Sequence, residues 1–238
     1  MTTDQLNIIV PVLSPRDNSN SIDEVHLREY VSRAASSWID RFLIFGSTDQ
    51  GWTLTSTART ALLDVWLDAV PPTRLVACCW TDADEFTALD RGVQVLATEA
   101  GHPSARLIDL PQSAMAYSHP THSPLSVTPS AIRDARAVRP LIRGAKLSKV
   151  STDELAAVRE TAGQDFILWD GSSRHLAESY QAGAAGAVCA PLAPLVHPFS
   201  TRPPLDELQV HLDHVQAIIA ARGPDRSTAL RALAFPGA

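Results

Sequence analysis

The sequence predicts an α/β fold in which a parallel sheet is covered by crossover helices. Short apolar runs rich in β-branched residues alternate with longer amphipathic stretches, a pattern typical of strands followed by helices. The length of 238 residues suits one α/β barrel or one to two smaller domains. With 45% hydrophobic and 19% charged residues, the chain has the composition of a globular protein with a substantial core.

Eight apolar runs have the length and residue types of strands. They cover Asn7–Leu13, Arg41–Phe45, Leu75–Trp80, Ala105–Leu110, Ala114–Tyr117, Gly144–Ser148, Phe166–Trp169 and Ala187–Ala190. The amphipathic stretches are predicted as helices, and Thr55 is placed to cap the second of them. They cover Ile22–Ser36, Thr55–Ala69, a helix beginning over Ala83–Leu89, Thr128–Val138, Thr152–Ala162, Ser173–Ala182, Pro203–Ala221 and Ser227–Leu233.

Two of the predicted strands conflict with a regular alternation. Almost nothing separates Ala105–Leu110 from Ala114–Tyr117, whereas parallel neighbours need a crossover of about a dozen residues. Either one strand–helix unit is shortened at this point, or one of the two strand predictions is wrong.

Composition excludes several classes of partner. The formal net charge is −6 and the sequence pI is about 5.7, so we expect neither nucleic acid nor a membrane as a partner. No apolar stretch approaches the length of a membrane helix, and the run Ile8–Leu13 is too short for a signal peptide. Cys78, Cys79 and Cys189 are interpreted as reduced core residues. These features predict a cytoplasmic protein.

Lysine is rare in this chain. The 20 basic residues comprise two lysines, Lys146 and Lys149, and eighteen arginines. An ammonium group can lose its proton when desolvated and attack a carbonyl, whereas a guanidinium cannot. In an arginine-rich chain, a lysine is therefore a candidate for chemistry that arginine does not support.

Four segments, in the same order, resemble motifs of the dihydrodipicolinate synthase / N-acetylneuraminate lyase superfamily. They are Ile8–Pro15 (similar to the opening strand and its TP turn), Gly46–Thr55 (G-T-T-G-E followed by L-T), Tyr117–Pro120 (Y-N-x-P) and Gly144–Ser148 (G-I-K-D-S). A fifth stretch, Asp165–Gly171 followed by Gly183–Val188, is similar to a later glycine-containing region of the family. The resemblance extends from about residue 8 to about residue 198.

The resemblance implies a (β/α)8 TIM barrel. In this chain the barrel would be shortened or irregular around residues 81–117, and the C-terminal helical extension would be reduced. We predict a single domain over residues 1–238, in which 203–238 form the C-terminal helices. Active sites of such barrels lie at the C-terminal ends of the strands.

Lys146 matches the lysine that forms a Schiff base in this superfamily. Strand alternation places Lys146 and Ser148 on one face, and Ala145 and Leu147 on the other. A lysine inside an apolar barrel has a lowered pKa, and its amine can attack the ketone of a 2-oxo acid. The alternative for Lys146 is a structural lysine that reaches the barrel rim. Lys149 lies on the opposite face and is expected to be solvated.

Other matching positions suggest supporting roles. Tyr117 is the one tyrosine predicted at a strand end, and the resemblance implies that it relays protons; the alternative is a half-buried ring with its hydroxyl in water. The turn Gly46–Thr48 matches the family's carboxylate-binding turn, although Gly, Ser and Thr are also ordinary loop residues. Gly171 and the Val188 carbonyl match positions near the lysine.

Departures from the family pattern bear on the substrate. Residues 49–50 are Asp-Gln where the family has Gly-Glu. His122 stands where the lysine-pathway synthases have an arginine for a second carboxylate, so we do not expect that pathway's dicarboxylic substrate. Pro111 is followed by Gln and Ser, not by the tyrosine that completes the family's proton relay. The relay is therefore broken or rebuilt.

Other functional motifs are absent from the sequence. His119 and His122 have no third ligand at a suitable spacing, so no metal site is predicted, and His122 is expected to face substrate or solvent. There is no G-x-S-x-G turn, no phosphate loop and no dinucleotide-binding glycine motif.

Three hypotheses follow from these observations. The first is a class I lyase or aldolase that acts on pyruvate or a 2-keto-3-deoxy acid through Lys146, without metal or organic cofactor, as a dimer or tetramer if it assembles as its family does. The second is a degenerate member that binds a 2-oxo acid or a protein partner without turnover. The third, an imine-forming enzyme of a biosynthetic cluster, is not separable from the first by sequence.

Overall fold

Eight parallel strands form a closed ring in the computed structural model, which describes residues 5–16, 21–103 and 105–236. The ring strands are β1 Asn7–Pro11, β2 Arg41–Ile44, β3 Leu75–Cys79, β4 Gln94–Ala97, β5 Met115–His119, β7 Gly144–Leu147, β8 Ile167–Asp170 and β9 Gly186–Val188. A short strand, β6 Ser123–Pro124, pairs with β5 in antiparallel fashion outside the ring. The β4–β5 and β1–β9 pairings close the barrel, which confirms the predicted (β/α)8 fold.

Helices connect most of the strands and surround the barrel. They are α1 Glu24–Ala35, α2 Ser56–Leu67, α3 Asp82–Asp90, α4 Pro129–Val138, α5 Thr152–Ala162, α6 Leu176–Gln181, α7 Leu205–Ala221 and α8 Arg226–Ala234. Side-chain caps begin several of them: Thr55 accepts a hydrogen bond from the N–H of Ala58, and Ser151 forms a capping box with Glu154. Among the described residues, no helix has the length and apolar character needed to cross a membrane.

The strands are buried on both faces, as parallel strands between a barrel core and a layer of helices must be. All five residues of β3 are buried, including Cys78 and Cys79, which are free thiols as predicted. Positions that point inward fill the barrel, and those that point outward pack against the helices. Helix α1 and the C-terminal end of α8 also meet in the core, where Phe235 packs on Tyr30 with ring centroids 5.2 Å apart.

The predicted strand Ala105–Leu110 is wrong. Residues 105–110 form turns, and the fourth ring strand is Gln94–Ala97, which the prediction omitted. Leu107 and Leu110 are buried against the barrel although they form no strand. The segment therefore contains the apolar residues of a buried strand without adopting its conformation. The described part of the β4–β5 connection consists of turns and contains no helix. The irregularity predicted within residues 81–117 therefore lies after α3.

Candidate active site

A cavity of about 1080 Å³ opens at the C-terminal ends of the strands. This is the end at which barrels of this type build their sites. Seven residues singled out from the sequence line it: Ser47, Thr48, Tyr117, His122, Lys146, Gly171 and Val188. Gly46 is buried beneath the turn and is not among the lining residues, and an added Cβ there would make only ordinary contact with Leu43 at 3.5 Å.

Lys146 lies at the base of this cavity with 4% of its surface exposed. Lys146 and Ser148 both line the cavity, which confirms the predicted inward face of β7. Burial lowers the pKa of Lys146 from 10.5 to about 8, while Cys78 and Asp170 favour its charged form. At pH 7 about a tenth of the amine is therefore unprotonated.

Tyr117 is the direct neighbour of Lys146. The two residues are paired across β5 and β7, and the Lys146 Nζ lies 4.1 Å from the centroid of the Tyr117 ring. The Tyr117 hydroxyl is hydrogen-bonded to Ser47 Oγ at 2.9 Å, and only 1% of the residue is exposed. Burial raises the pKa of Tyr117, so the phenol keeps its proton. The alternative of a half-buried ring with its hydroxyl in water is wrong.

The turn after β2 carries Ser47 and Thr48 into the cavity. Phe45 and Gln50 adopt left-handed backbone conformations, with φ of 59° and 55°. A Cβ on Gly51 would lie 1.9 Å from the Phe45 carbonyl oxygen, so the turn requires glycine there. Ser47 and Thr48 begin a 3-10 helix, and the first N–H groups of a helix have no acceptor within it. Hydroxyl and N–H donors therefore converge at this edge of the cavity.

Asp49, which departs from the family pattern, makes structural contacts outside the cavity. It is 1% exposed and accepts hydrogen bonds from the N–H and Oγ of Ser14 at 2.9 and 2.7 Å. Arg16 and Arg231 form ion pairs with it at 2.8 and 3.1 Å. The carboxylate joins the segment after β1, the 47–49 turn and α8, and it does not line the cavity.

Asp170 is a site residue that the sequence analysis missed. It ends β8, is 4% exposed and lines the cavity. Its carboxylate accepts hydrogen bonds from Ser179 Oγ at 2.6 Å and from the Ser172 N–H at 2.8 Å. Burial raises its pKa, while these hydrogen bonds and Lys146 oppose the shift. An acidic residue at the C-terminal end of a predicted buried strand was the signal available in the sequence.

Gly171 permits a close approach between neighbouring strands. Its N–H donates to the Leu147 carbonyl at 2.5 Å, and an added Cβ would lie 2.1 Å from Ser148 Oγ. The backbone here therefore has no room for a side chain. Val188 ends β9 on the other side of β8, is 4% exposed and also lines the cavity.

His119 and His122 form part of the cavity wall. His122 stacks on Trp52 with centroids 4.7 Å apart, and its ring centroid lies 4.5 Å from that of His119. His119 Nδ1 accepts the N–H groups of Thr121 and His122, both at 3.1 Å, so a neutral His119 carries its proton on Nε2. Burial, with His122 and both lysines nearby, lowers the pKa of His119 to about 4.

Two further observations concern the position of the relay tyrosine and the possible metal ligands. Residues 112–113, where the family's relay tyrosine was sought, are exposed and precede β5 at the end of the barrel opposite the cavity. No group of three or more His, Cys, Asp or Glu side chains in the described ranges is arranged to hold a metal ion.

Comparison with solved structures agrees with this architecture. Dihydrodipicolinate synthase from Bacteroides thetaiotaomicron superposes with a TM-score of 0.73 at 20% identity, over 100% of this chain and 91% of the other. A variant of 2-keto-3-deoxygluconate aldolase from Sulfolobus solfataricus gives 0.73 at 14% identity, over 98% and 86%. CdNal from Clostridium difficile, in complex with mannosamine, gives 0.67 at 16% identity, over 97% and 81%.

The barrel fold of this chain is shared with these solved structures. No protein-family model and no curated protein sequence matches the chain. At these identities the superpositions show the fold alone.

Proposed function

We propose that this chain is a class I lyase in which Lys146 forms an imine with a 2-oxo acid of the pyruvate or 2-keto-3-deoxy acid type. The observation that carries the proposal is the buried amine of Lys146, 4.1 Å from the Tyr117 ring at the base of a cavity at the barrel mouth. The reaction makes or breaks the bond between the α and β carbons of the former ketone. It uses no metal or organic cofactor, and we place it in the cytoplasm.

The first step is attack of the neutral Lys146 amine on the ketone carbon. The carbinolamine then loses water, which requires a proton for the departing hydroxyl. Tyr117 is suited to donate it, because its phenol is protonated and hydrogen-bonded to Ser47 at 2.9 Å. The resulting iminium accepts the electron pair of the Cα–Cβ bond as the β-hydroxyl gives its proton to a base, which leaves an enamine on Lys146 and a free aldehyde. Bond formation is the reverse: the enamine attacks the aldehyde, whose oxygen takes up the proton.

The groups around Lys146 support this chemistry. Ser47 and Thr48 offer hydroxyl and N–H donors to the carboxylate of the 2-oxo acid. Asp170 interacts electrostatically with the lysine and would stabilise the cationic iminium. His119 has a neutral imidazole in the cavity wall, and we propose that it carries protons in place of the family's missing tyrosine.

Borohydride reduction in the presence of millimolar pyruvate tests the proposal. We expect a reduced pyruvyl adduct on the peptide that contains Lys146, detected by mass spectrometry. Lys149→Ala, which removes the other lysine, should leave the adduct unchanged, and Lys146→Arg should abolish it while keeping a basic side chain. Wild-type protein without an adduct on that peptide would overturn the imine mechanism.

A second candidate function is binding of a 2-oxo acid without turnover. It is favoured by the absence of the relay tyrosine and by the structural position of Asp49. This candidate predicts saturable thermal stabilisation by 2-oxo acids, with no retro-aldol product from a panel of 2-keto-3-deoxy acids. A product that is lost in Lys146→Ala excludes it.

A further inference from the structure

The outer part of the cavity contains two arginines that the proposed reaction does not use. Arg174 lies in the loop between β8 and α6, and Arg226 is the first residue of α8. Both side chains are exposed to the cavity mouth, and neither forms an ion pair with any described residue. The pKa of Arg226 is lowered, first by desolvation and then by the charge of Arg174. Two like charges thus face the same space.

The carboxylates of the same cavity have other partners. Asp170 accepts hydrogen bonds from Ser179 and Ser172. Glu178 pairs with His175 at 3.1 Å, and Asp213 accepts a hydrogen bond from the Gln209 amide at 2.9 Å. The positive charge of the two arginines is therefore not neutralised by a direct contact within the described part of the chain.

Four neutral polar side chains also line the cavity. Ser172, Ser173, Ser227 and Gln216 supply hydroxyl and amide groups along it. Such groups suit the hydroxyl groups of a polyhydroxylated chain. The lining therefore combines the hydrogen-bond donors at Ser47, further hydroxyl and amide groups, and two cationic side chains.

We propose that Arg174 and Arg226 form a subsite for an oxyanion at the far end of the substrate, either a phosphate monoester or a second carboxylate. The proposal deepens the proposed function, on which it rests for the identity of the substrate as a 2-oxo acid. Guanidinium groups form charge-assisted, often bidentate hydrogen bonds with both oxyanions. The subsite lies on the β8–α8 side of the cavity, whereas His122 occupies the position of the family's carboxylate-binding arginine on the β5 side.

Calorimetric titration with three matched acids tests this subsite. We would use 2-keto-3-deoxygluconate, which ends in an alcohol, 2-keto-3-deoxyglucarate, which ends in a carboxylate, and 2-keto-3-deoxy-6-phosphogluconate. At least one anionic acid should bind about tenfold more tightly than the alcohol, as expected for a charge-assisted contact. The tighter of the two identifies the oxyanion.

Single Arg174→Gln and Arg226→Gln variants should each remove most of that preference. Arg222→Gln is the matched control, because it removes an exposed arginine from the same C-terminal region that does not line the cavity. Equal affinities for the three acids in the wild type would overturn the subsite. So would an equal loss in Arg222→Gln, or the absence of binding by every acid.

Repeating the titrations in Lys146→Ala separates the two proposals, because the oxyanion contact does not require an imine. A preference that persists in this variant, combined with failed borohydride trapping in the wild type, would reject the lyase and retain the subsite. Successful trapping with no preference among the three acids would retain the lyase and reject the subsite.

Discussion

At the scale of single residues, the burial of Lys146 both increases the neutral fraction of its amine and destabilises the fold. The folded protein lowers the pKa of Lys146 from 10.5 to about 8, so it binds this proton less tightly than the unfolded chain does. Below pH 8 the ammonium must be held in a site where only 4% of the residue is exposed. Stability and reactivity are therefore opposed at this position.

Lys146→Met should stabilise the protein at pH 7. The pKa shift from 10.5 to about 8 corresponds to a free energy on the order of 3 kcal/mol, which methionine does not incur. The advantage should be fully present below pH 8 and diminish as the pH rises towards 10.5, because the wild type gains stability there. Urea unfolding of both proteins between pH 7 and 9.5 measures the difference. A methionine variant no more stable than wild type at pH 7 contradicts this account.

Gly171→Ala should damage the base of the cavity. The added Cβ would lie 2.1 Å from Ser148 Oγ and 2.7 Å from the Leu147 carbonyl, so we expect a loss of about 1–3 kcal/mol in unfolding free energy. Gly101→Ala is the control, because its nearest neighbours are 3.5 Å away. Chemical denaturation of both variants is the measurement, and similar losses in the two would refute the steric argument.

At the scale of elements, one carboxylate joins the segment after β1 and helix α8 to the turn formed by residues 47–49. Asp49 follows Ser47 and Thr48 in their 3-10 helix and binds Ser14, Arg16 and Arg231. Side-chain hydrogen bonds therefore hold the turn in place from behind. The Ser47–Tyr117 contact at the front depends on that placement.

Asp49→Asn should cost about 3–5 kcal/mol of unfolding free energy, because it removes the anion from a buried ionic cluster. Asp64→Asn provides the matched control. Its ion pair with Arg91 has a similar N–O distance of 2.7 Å, but its side chain is 55% exposed, so we expect a change of at most about 1 kcal/mol. Guanidinium unfolding measures both variants. Equal losses of unfolding free energy would mean that the buried ionic cluster of Asp49 does not stabilise the fold more than an exposed ion pair does.

At the scale of the whole molecule, the ring of strands is closed but the cavity is completed by the C-terminal helices. Leu212 and Asp213 of α7, with Arg226 and Ser227 of α8, contribute to its wall. Leu230 is fully buried, and Phe235 packs on Tyr30. Helix α8 therefore belongs to both the core and the candidate site.

Truncation after Arg222 should lower the unfolding free energy by at least about 3 kcal/mol, because it exposes the surfaces that bury Leu230 and Phe235. It should also abolish any preference for acids with a distal anion. Leu230→Ala, expected to cost about 2–5 kcal/mol, keeps Arg226 and so separates lost packing from the lost subsite. A truncated chain with the wild-type melting temperature would show that α8 does not stabilise the barrel.

The sequence by itself determined the order of most strands and helices and the inward face of β7. These features follow from local periodicity, from caps such as Thr55, and from motifs whose order along the chain resembles a known superfamily. Local patterns assigned the fourth strand to the wrong segment. Leu107 and Leu110 are buried in turns, so their segment has the apolar residues expected of a strand.

Only the tertiary structure decided which residues meet across the ring. It placed Asp170 and His119 in the cavity wall, turned Asp49 away from the cavity towards Arg231, and brought Arg174 and Arg226 to the same mouth. The physical reason is that these contacts join segments far apart in the sequence, through strand register and barrel closure. Periodicity within one segment carries no information about such contacts.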